Sequence, residues 1–303
     1  MTIQTQHQDA SKTVLLIGAT GSLGSMIARE LLAQGANLRL LVRSNSRSKL
    51  DAEVAAKSEV VDDRAGIFDG VHTVVSAVQG GTGTIVDAQL EWLQAARDAG
   101  VRRFIASDYG MNLFGLDDGE NIHSDFRREF ARRAEAEREE VELVHLLNGA
   151  FLDRGVLFGF LGAFDLDKGE AYLWGDGEAK MEVTTFADTA AYAAAAAADD
   201  RPVPDKVYVA GNVLTFDELV AETEAGLDRI LTVKKLGTLA DMDAEIDRRQ
   251  ADGQGGFSAV PLMYWRAMLS GKGKLGPLMN DRYPWVQPTS VRDYAAAMAA
   301  GTV

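Results

Sequence analysis

The chain has 303 residues, 47% of them hydrophobic, no cysteine, and a formal net charge of −14. That is enough apolar material for a full core, so a disordered or low-complexity chain is excluded. The acidic balance argues against nucleic acid and against an anionic membrane surface as partners, and the lack of thiols removes disulfide and thiolate chemistry.

Residues 1–12, MTIQTQHQDASK, are polar and lack the apolar run of a signal peptide, so a flexible tail and a cytoplasmic chain are expected. No stretch approaches the ~20 apolar residues that span a bilayer, so no membrane role is expected. "KTVLLIG" predicts a buried strand ending at Gly18, and "SLGSMIARELLAQG" predicts a helix closed by Gly35. "NLRLLVR", "SEVVD", "HTVVSAV", "RRFIAS" and "VELVHLLN" predict further buried strands. The helices "GTIVDAQLEWLQAARDAG" and "HSDFRREFARRAEAERE" fall between them. This order predicts an α/β chain with a Rossmann-type, doubly wound parallel sheet.

From Phe151 the texture changes to short apolar pieces, a hairpin-like "DKGEAYLWGDGEAK" and several helices near the C terminus. The alanine run Ala193 to Ala198 reads as a tightly packed helix bracketed by Asp188 and Pro202. The expected division is a nucleotide-binding domain over 13–150 and a smaller substrate lobe over 151–303. Some segments of that lobe are expected to return to the sheet.

The turn after the first strand carries Gly18, Gly21 and Gly24, three residues apart. Gly18 serves a tight turn, Gly21 lets backbone approach a pyrophosphate, and Gly24 lets the helix pack near the strand. Thr20, Ser22 and Leu23 lie beside them, and the helix N terminus favours phosphate. An NAD site places an acid at the end of the second strand, about 20 residues on. Here Arg43 occupies that point, with Arg47 and Lys49 following, which suits a 2′-phosphate and favours NADP(H). "SAVQGG" and "ASDYG" end two later strands at the same edge of the sheet, placing Ala77, Val78, Gln79, Ser107 and Tyr109 along the dinucleotide's path.

With these residues in view, the chain resembles the NmrA-like atypical short-chain dehydrogenases, and more narrowly the isoflavone reductase and phenylcoumaran benzylic ether reductase group. "IGATGSLG" and "LVRSNSR" match the family's cofactor turn and strand end, and "FIASDYGMN" is similar to its Ser-Glu-Phe-Gly segment. "NGAFLD", "WGDGEAKMEVTTFADTAAY", "DDRPVPDKVYVAGNVLTFDELV" and "RYPWVQPTSVRDY" follow in the family's order. The resemblance implies an NADPH domain with a small C-terminal lobe, reducing phenolic-type aromatic substrates by direct hydride transfer. Two departures stand out. The family lysine on the helix after Ser-Glu-Phe-Gly is missing, with Arg128 or Glu129 about where it belongs, and no Tyr-x-x-x-Lys pair exists. The segment "SEVVDDRAGIFDG" is also shorter than the family's third strand and helix.

Opening a benzylic ether needs a proton donor, for which Tyr109, His123 and Glu129 are the candidates. Arginine is excluded because it does not give up its proton. A quinone or enone needs less help, since solvent supplies the proton after the hydride has moved. Met111, Phe151, Phe158 and Trp265 are expected to meet the substrate. His7, His72 and His145 are scattered and make no recognisable metal set. Two classes of function stay open: a reductase of a small aromatic substrate, and a redox sensor that binds NADP(H) and acts through a protein partner. A homodimer also stays open.

Overall fold

The structure is a computed structural model, and residues 12–62, 66–251 and 257–303 are described here. Apart from Lys12, the expected tail lies outside the described residues. In chain order the first half carries β1 (Thr13–Ile17), α1 (Ser22–Ala33), β2 (Asn37–Leu41), α2 (Ala52–Ala56), β3 (Glu59–Val61), β4 (Thr73–Ser76), α3 (Gln89–Asp98), β5 (Arg103–Ile105), α4 (Ile122–Glu137) and β6 (Glu142–Leu147). The second half carries β7 (Ala150–Phe151), β8 (Phe164–Asp165), β9 (Glu170–Trp174), β10 (Met181–Thr184), α5 (Phe186–Ala198), β11 (Lys206–Tyr208), β12 (Asn212–Leu214), α6 (Phe216–Leu227), β13 (Thr232–Gly237), α7 (Leu239–Ala251), α8 (Val260–Leu269) and α9 (Val291–Ala299).

Seven strands form one parallel sheet in the order β11-β6-β5-β4-β1-β2-β3. The order reverses between β1 and β4, the point at which a doubly wound sheet opens a crevice at its carboxyl edge. β3 is three residues long, and residues 66–70 that follow it are turns rather than a helix.

By packing, the chain divides into two compact units. One comprises Met1–Ser107, Arg133–Val144 and Ala193–Asp205, and the other Asp108–Arg132, His145–Tyr192 and Lys206–Val303. Both units are discontinuous in sequence, because α4, β6 and α5 each run from one unit into the other. In the first unit β1 and β4 are almost wholly buried, and α1 turns Gly24, Ile27, Ala28 and Leu31 inward at helical spacing. The second unit holds two three-stranded sheets, β12-β10-β7 and β13-β9-β8. Its core includes Leu157, Phe216, Met242 and Trp265.

One charged residue sits inside the first unit. Arg103 on β5 is fully buried and donates to Glu142 at 2.7 Å and to the carbonyls of Ala196, Asp199 and Arg201. Its fork therefore ties the end of α5 to the sheet, with every bond charge-assisted. Burial raises the Glu142 carboxyl, but Arg103 and Arg102 outweigh that effect and hold it below its ordinary value. A depressed carboxyl stabilises the fold above its unfolded pKa, and that contribution is lost as pH falls through the folded one. Arg103→Met is expected to cost about 3 kcal/mol in urea unfolding at pH 7, by leaving Glu142 and three carbonyls short of a donor. It should also weaken the loss of stability on acidification. A variant as stable as the parent at pH 7 would contradict this.

Candidate functional site

Register brings one set of residues together in the first unit. Ile17 lies opposite Leu41 on β2 and Ser76 on β4, and Val75 lies opposite Ile105 on β5. Gly18, Arg43, Ala77 to Gln79 and Ser107 therefore all follow strand ends at the same edge. Gly18 has φ +96°, and a Cβ there would stand 2.2 Å from the Ala77 carbonyl oxygen. A Cβ on Gly24 would stand 2.1 Å from the Gly18 carbonyl oxygen. These two positions admit only glycine, and they draw the α1 N terminus tight against β1 and β4. Gly21 meets only the Gly18 oxygen at 3.5 Å, so within the protein it has room. It is exposed, as is Ser22, while Thr20 and Leu23 are half-buried.

Gly21 caps α1 without a side-chain hydrogen bond, and the first turn holds no acid. The first N–H groups of a helix have no intrahelical acceptor, so this end presents free donors and a positive dipole to an anion. Arg43, Arg47 and Lys49 are exposed at the end of β2. Arg47 lies 3.5 Å from Asp62, whereas among the described residues no ion pair engages Arg43 or Lys49. The Ser107 hydroxyl accepts from the Val78 N–H at 2.9 Å and donates to the Val78 carbonyl at 2.7 Å. Gln89 accepts from the Ser107 N–H at 3.0 Å. Ser107 thus fixes the backbone of the loop after β4, where Ala77 and Val78 are half-buried and Gln79 is exposed.

The proton-donor candidates fall in the second unit. Tyr109 has a half-buried ring, and its hydroxyl is buried with no hydrogen-bond partner among the described residues. Burial, then the neighbouring Asp108 charge, push this phenol far above its ordinary value, so it stays protonated. His123 sits in the first turn of α4, with Nδ1 3.3 Å from the Tyr264 hydroxyl. Burial, then Arg127, hold His123 below the ordinary histidine value, while burial raises the Tyr264 phenol. The pair is therefore a neutral imidazole facing a protonated phenol. Glu129 is 35% exposed and ion-paired with Arg132 one turn on, the setting of a solvated carboxylate rather than of an apolar pocket. Arg128 is spent on structure, donating to the Leu113 carbonyl, Asp118 and Asp125.

Of the apolar residues expected to meet a substrate, Met111, Phe158 and Trp265 lie in the core at 4%, 7% and 1% exposure. Trp265 packs edge-on to Phe216, and Phe158 packs on Phe164. Phe151 keeps a partly exposed ring, stacked on Phe186 at 4.0 Å. Of the aromatic residues around His123, sequence reading missed Phe160. Phe160 is 46% exposed, and its ring lies 6.2 Å from that of Tyr264, which lies 6.0 Å from His123. It also missed the buried contact between Asp108 and His145. The signal for that contact was available: Asp108 follows the end of β5, and His145 lies on β6, its parallel neighbour. No helix among the described residues is long and apolar enough to cross a membrane, and no group of three metal-ligating side chains occurs among them.

Phenylcoumaran benzylic ether reductase PT1 of Pinus taeda is 26% identical over 235 residues, covering 72% of this chain and 76% of that one. A bifunctional pinoresinol-lariciresinol reductase of Thuja plicata is 26% identical over 308 residues, covering 94% and 98%. A solved structure described as AtPrR2 with NADP+ and (+)pinoresinol superposes with a TM-score of 0.79 at 23% identity, covering 95% of this chain and 98% of that one. It shares the fold. Residues 10–242 match the model of the NmrA-like family. That match spans the glycine turn and all seven strands of the parallel sheet, and the chain belongs to the NmrA-like family.

Proposed function

We propose that this chain is an NADPH-dependent reductase of a small aromatic substrate. The observation that carries the reading is the uncapped, acid-free N terminus of α1, held against β1 and β4 by Gly18 and Gly24 and sharing an edge with Arg43, which engages no acid among the described residues. Backbone N–H groups around Gly21, Ser22 and Leu23 hold the pyrophosphate, and Arg43 with Lys49 and Arg47 takes the 2′-phosphate. Ala77, Val78 and Gln79, steadied by Ser107, line the dinucleotide's path. NADPH, when bound, supplies the hydride.

The chain supplies the proton and the seat for the ring. Cleaving a benzylic ether leaves an oxygen that must be protonated, and Tyr109 carries a phenol O–H that no group among the described residues engages. A quinone or enone acceptor takes its proton from water and needs this group less. The aromatic ring of the substrate seats on Phe160, Tyr264 and His123, whose rings are partly open. Phe151 borders it, while Met111, Phe158 and Trp265 shape the lobe from beneath. The names of the relatives support the substrate class, a phenolic ether or its congeners.

The test is NADPH oxidation against a panel of quinones, enones, isoflavonoids and lignan-type ethers. Turnover of at least one member is expected, with NADPH preferred over NADH. Tight NADPH binding with no turnover on any member would overturn the reductase reading in favour of a sensor acting through a protein partner.

A further inference from the structure

Asp108 and His145 lie inside the second unit at 1% and 5% exposure, with Asp108 Oδ2 2.5 Å from His145 Nδ1. Burying a carboxylate costs several kcal/mol unless it is paired and hydrogen-bonded, so this contact needs a reason to exist. Arg127 also stands near Asp108, with its Nε 3.9 Å from Oδ1, too far for a hydrogen bond. His145 is itself held, its ring meeting Phe114 edge-on at 5.1 Å, with Lys206 over the Phe114 face.

The backbone on the far side of Tyr109 is fastened to the same neighbourhood. The Gly110 carbonyl accepts from the N–H groups of both Asn148 and Gly149, each at 2.9 Å. The residues on either side of Tyr109 are therefore both anchored to β6 and the turn that follows it, one by its side chain and the other by its carbonyl. Between them the Tyr109 hydroxyl stands buried and without a partner among the described residues. Such a group is costly in a relaxed loop, and persists only where its surroundings hold it.

We propose that Asp108 and His145 form a positioning pair, which clamps the backbone beside Tyr109 so that its phenol O–H is kept for the substrate. The target of that O–H rests on the reductase reading, whereas the clamp itself does not. The imidazole Nδ1–H donates to Asp108. An asparagine at 145 places an N–H near Nδ1, and a glutamine places one near Nε2 instead.

The experiment compares His145→Asn with His145→Gln and His145→Leu in the full chain with NADPH. His145→Gln and His145→Leu are expected to lower kcat for ether reduction roughly 30-fold with KM within about twofold, as misplacement of a catalytic group does. His145→Asn should recover to within about threefold of the parent. A second readout needs no turnover: the phenolate absorbance that disappears in Tyr109→Phe reports Tyr109 alone. In the parent that signal should emerge only well above the ordinary tyrosine range, and in His145→Gln within it. Equal kcat losses in all three variants with a silent phenol would overturn the clamp, leaving only a structural role. If no substrate is ever reduced, the reductase reading fails by itself and the phenol titration alone decides the clamp.

Discussion

Tyr109→Phe is expected to lower turnover of a benzylic ether by at least about 100-fold while leaving NADPH affinity within about twofold. The substitution removes one oxygen from a ring that is already half-buried, and that oxygen has no protein partner to leave stranded. Stability should therefore change little or rise slightly, since an unsatisfied buried hydroxyl is lost. Because burial and the Asp108 charge keep the phenol protonated, no limb from Tyr109 should cut the pH–rate profile near neutrality. Reduction of a quinone should be nearly unaffected, since water completes that reaction. Equal turnover of the ether by parent and variant would remove Tyr109 as the donor and leave the Tyr264–His123 pair as the next group to examine.

Arg43→Ala is expected to weaken NADPH binding by about 10- to 100-fold and NADH binding by less than about twofold. Hydrogen bonds to a charged partner contribute about 1.5–3 kcal/mol, which sets the range. Arg43 is exposed and engages no acid among the described residues, so its removal leaves no stranded carboxylate and little structural cost. Arg47 differs, because Asp62 at 3.5 Å already holds part of its charge, and Arg47→Ala should cost less. Equal losses for both dinucleotides would contradict the 2′-phosphate assignment.

The glycine turn and the strand ends beside it were legible in the sequence because their physics is local. A glycine that ends a strand, another that lets the helix approach, and a basic residue closing the next strand are each read within a few residues. The register then aligns them, as Ile17 beside Leu41 and Ser76 shows. The second unit was less legible, because its contacts join distant parts of the chain. Trp265 and Phe158 are aromatic residues of a kind that serves core and ligand alike, and only packing against Phe216 and Phe164 places them in the core. Phe160 is no different in kind, and only its exposure sets it apart. Asp108 and His145 are 37 residues apart and meet because β5 and β6 are neighbours.

The central claim is hydride transfer from NADPH to an aromatic acceptor, and single-turnover reaction with NADPH deuterated at the nicotinamide C4 tests it most directly. With an ether or enone as acceptor, one carbon-bound deuterium is expected in the reduced product per NADPH consumed, from one face of the nicotinamide only, with the label retained after solvent exchange. Tight binding of the labelled cofactor without deuterium in any product would contradict it.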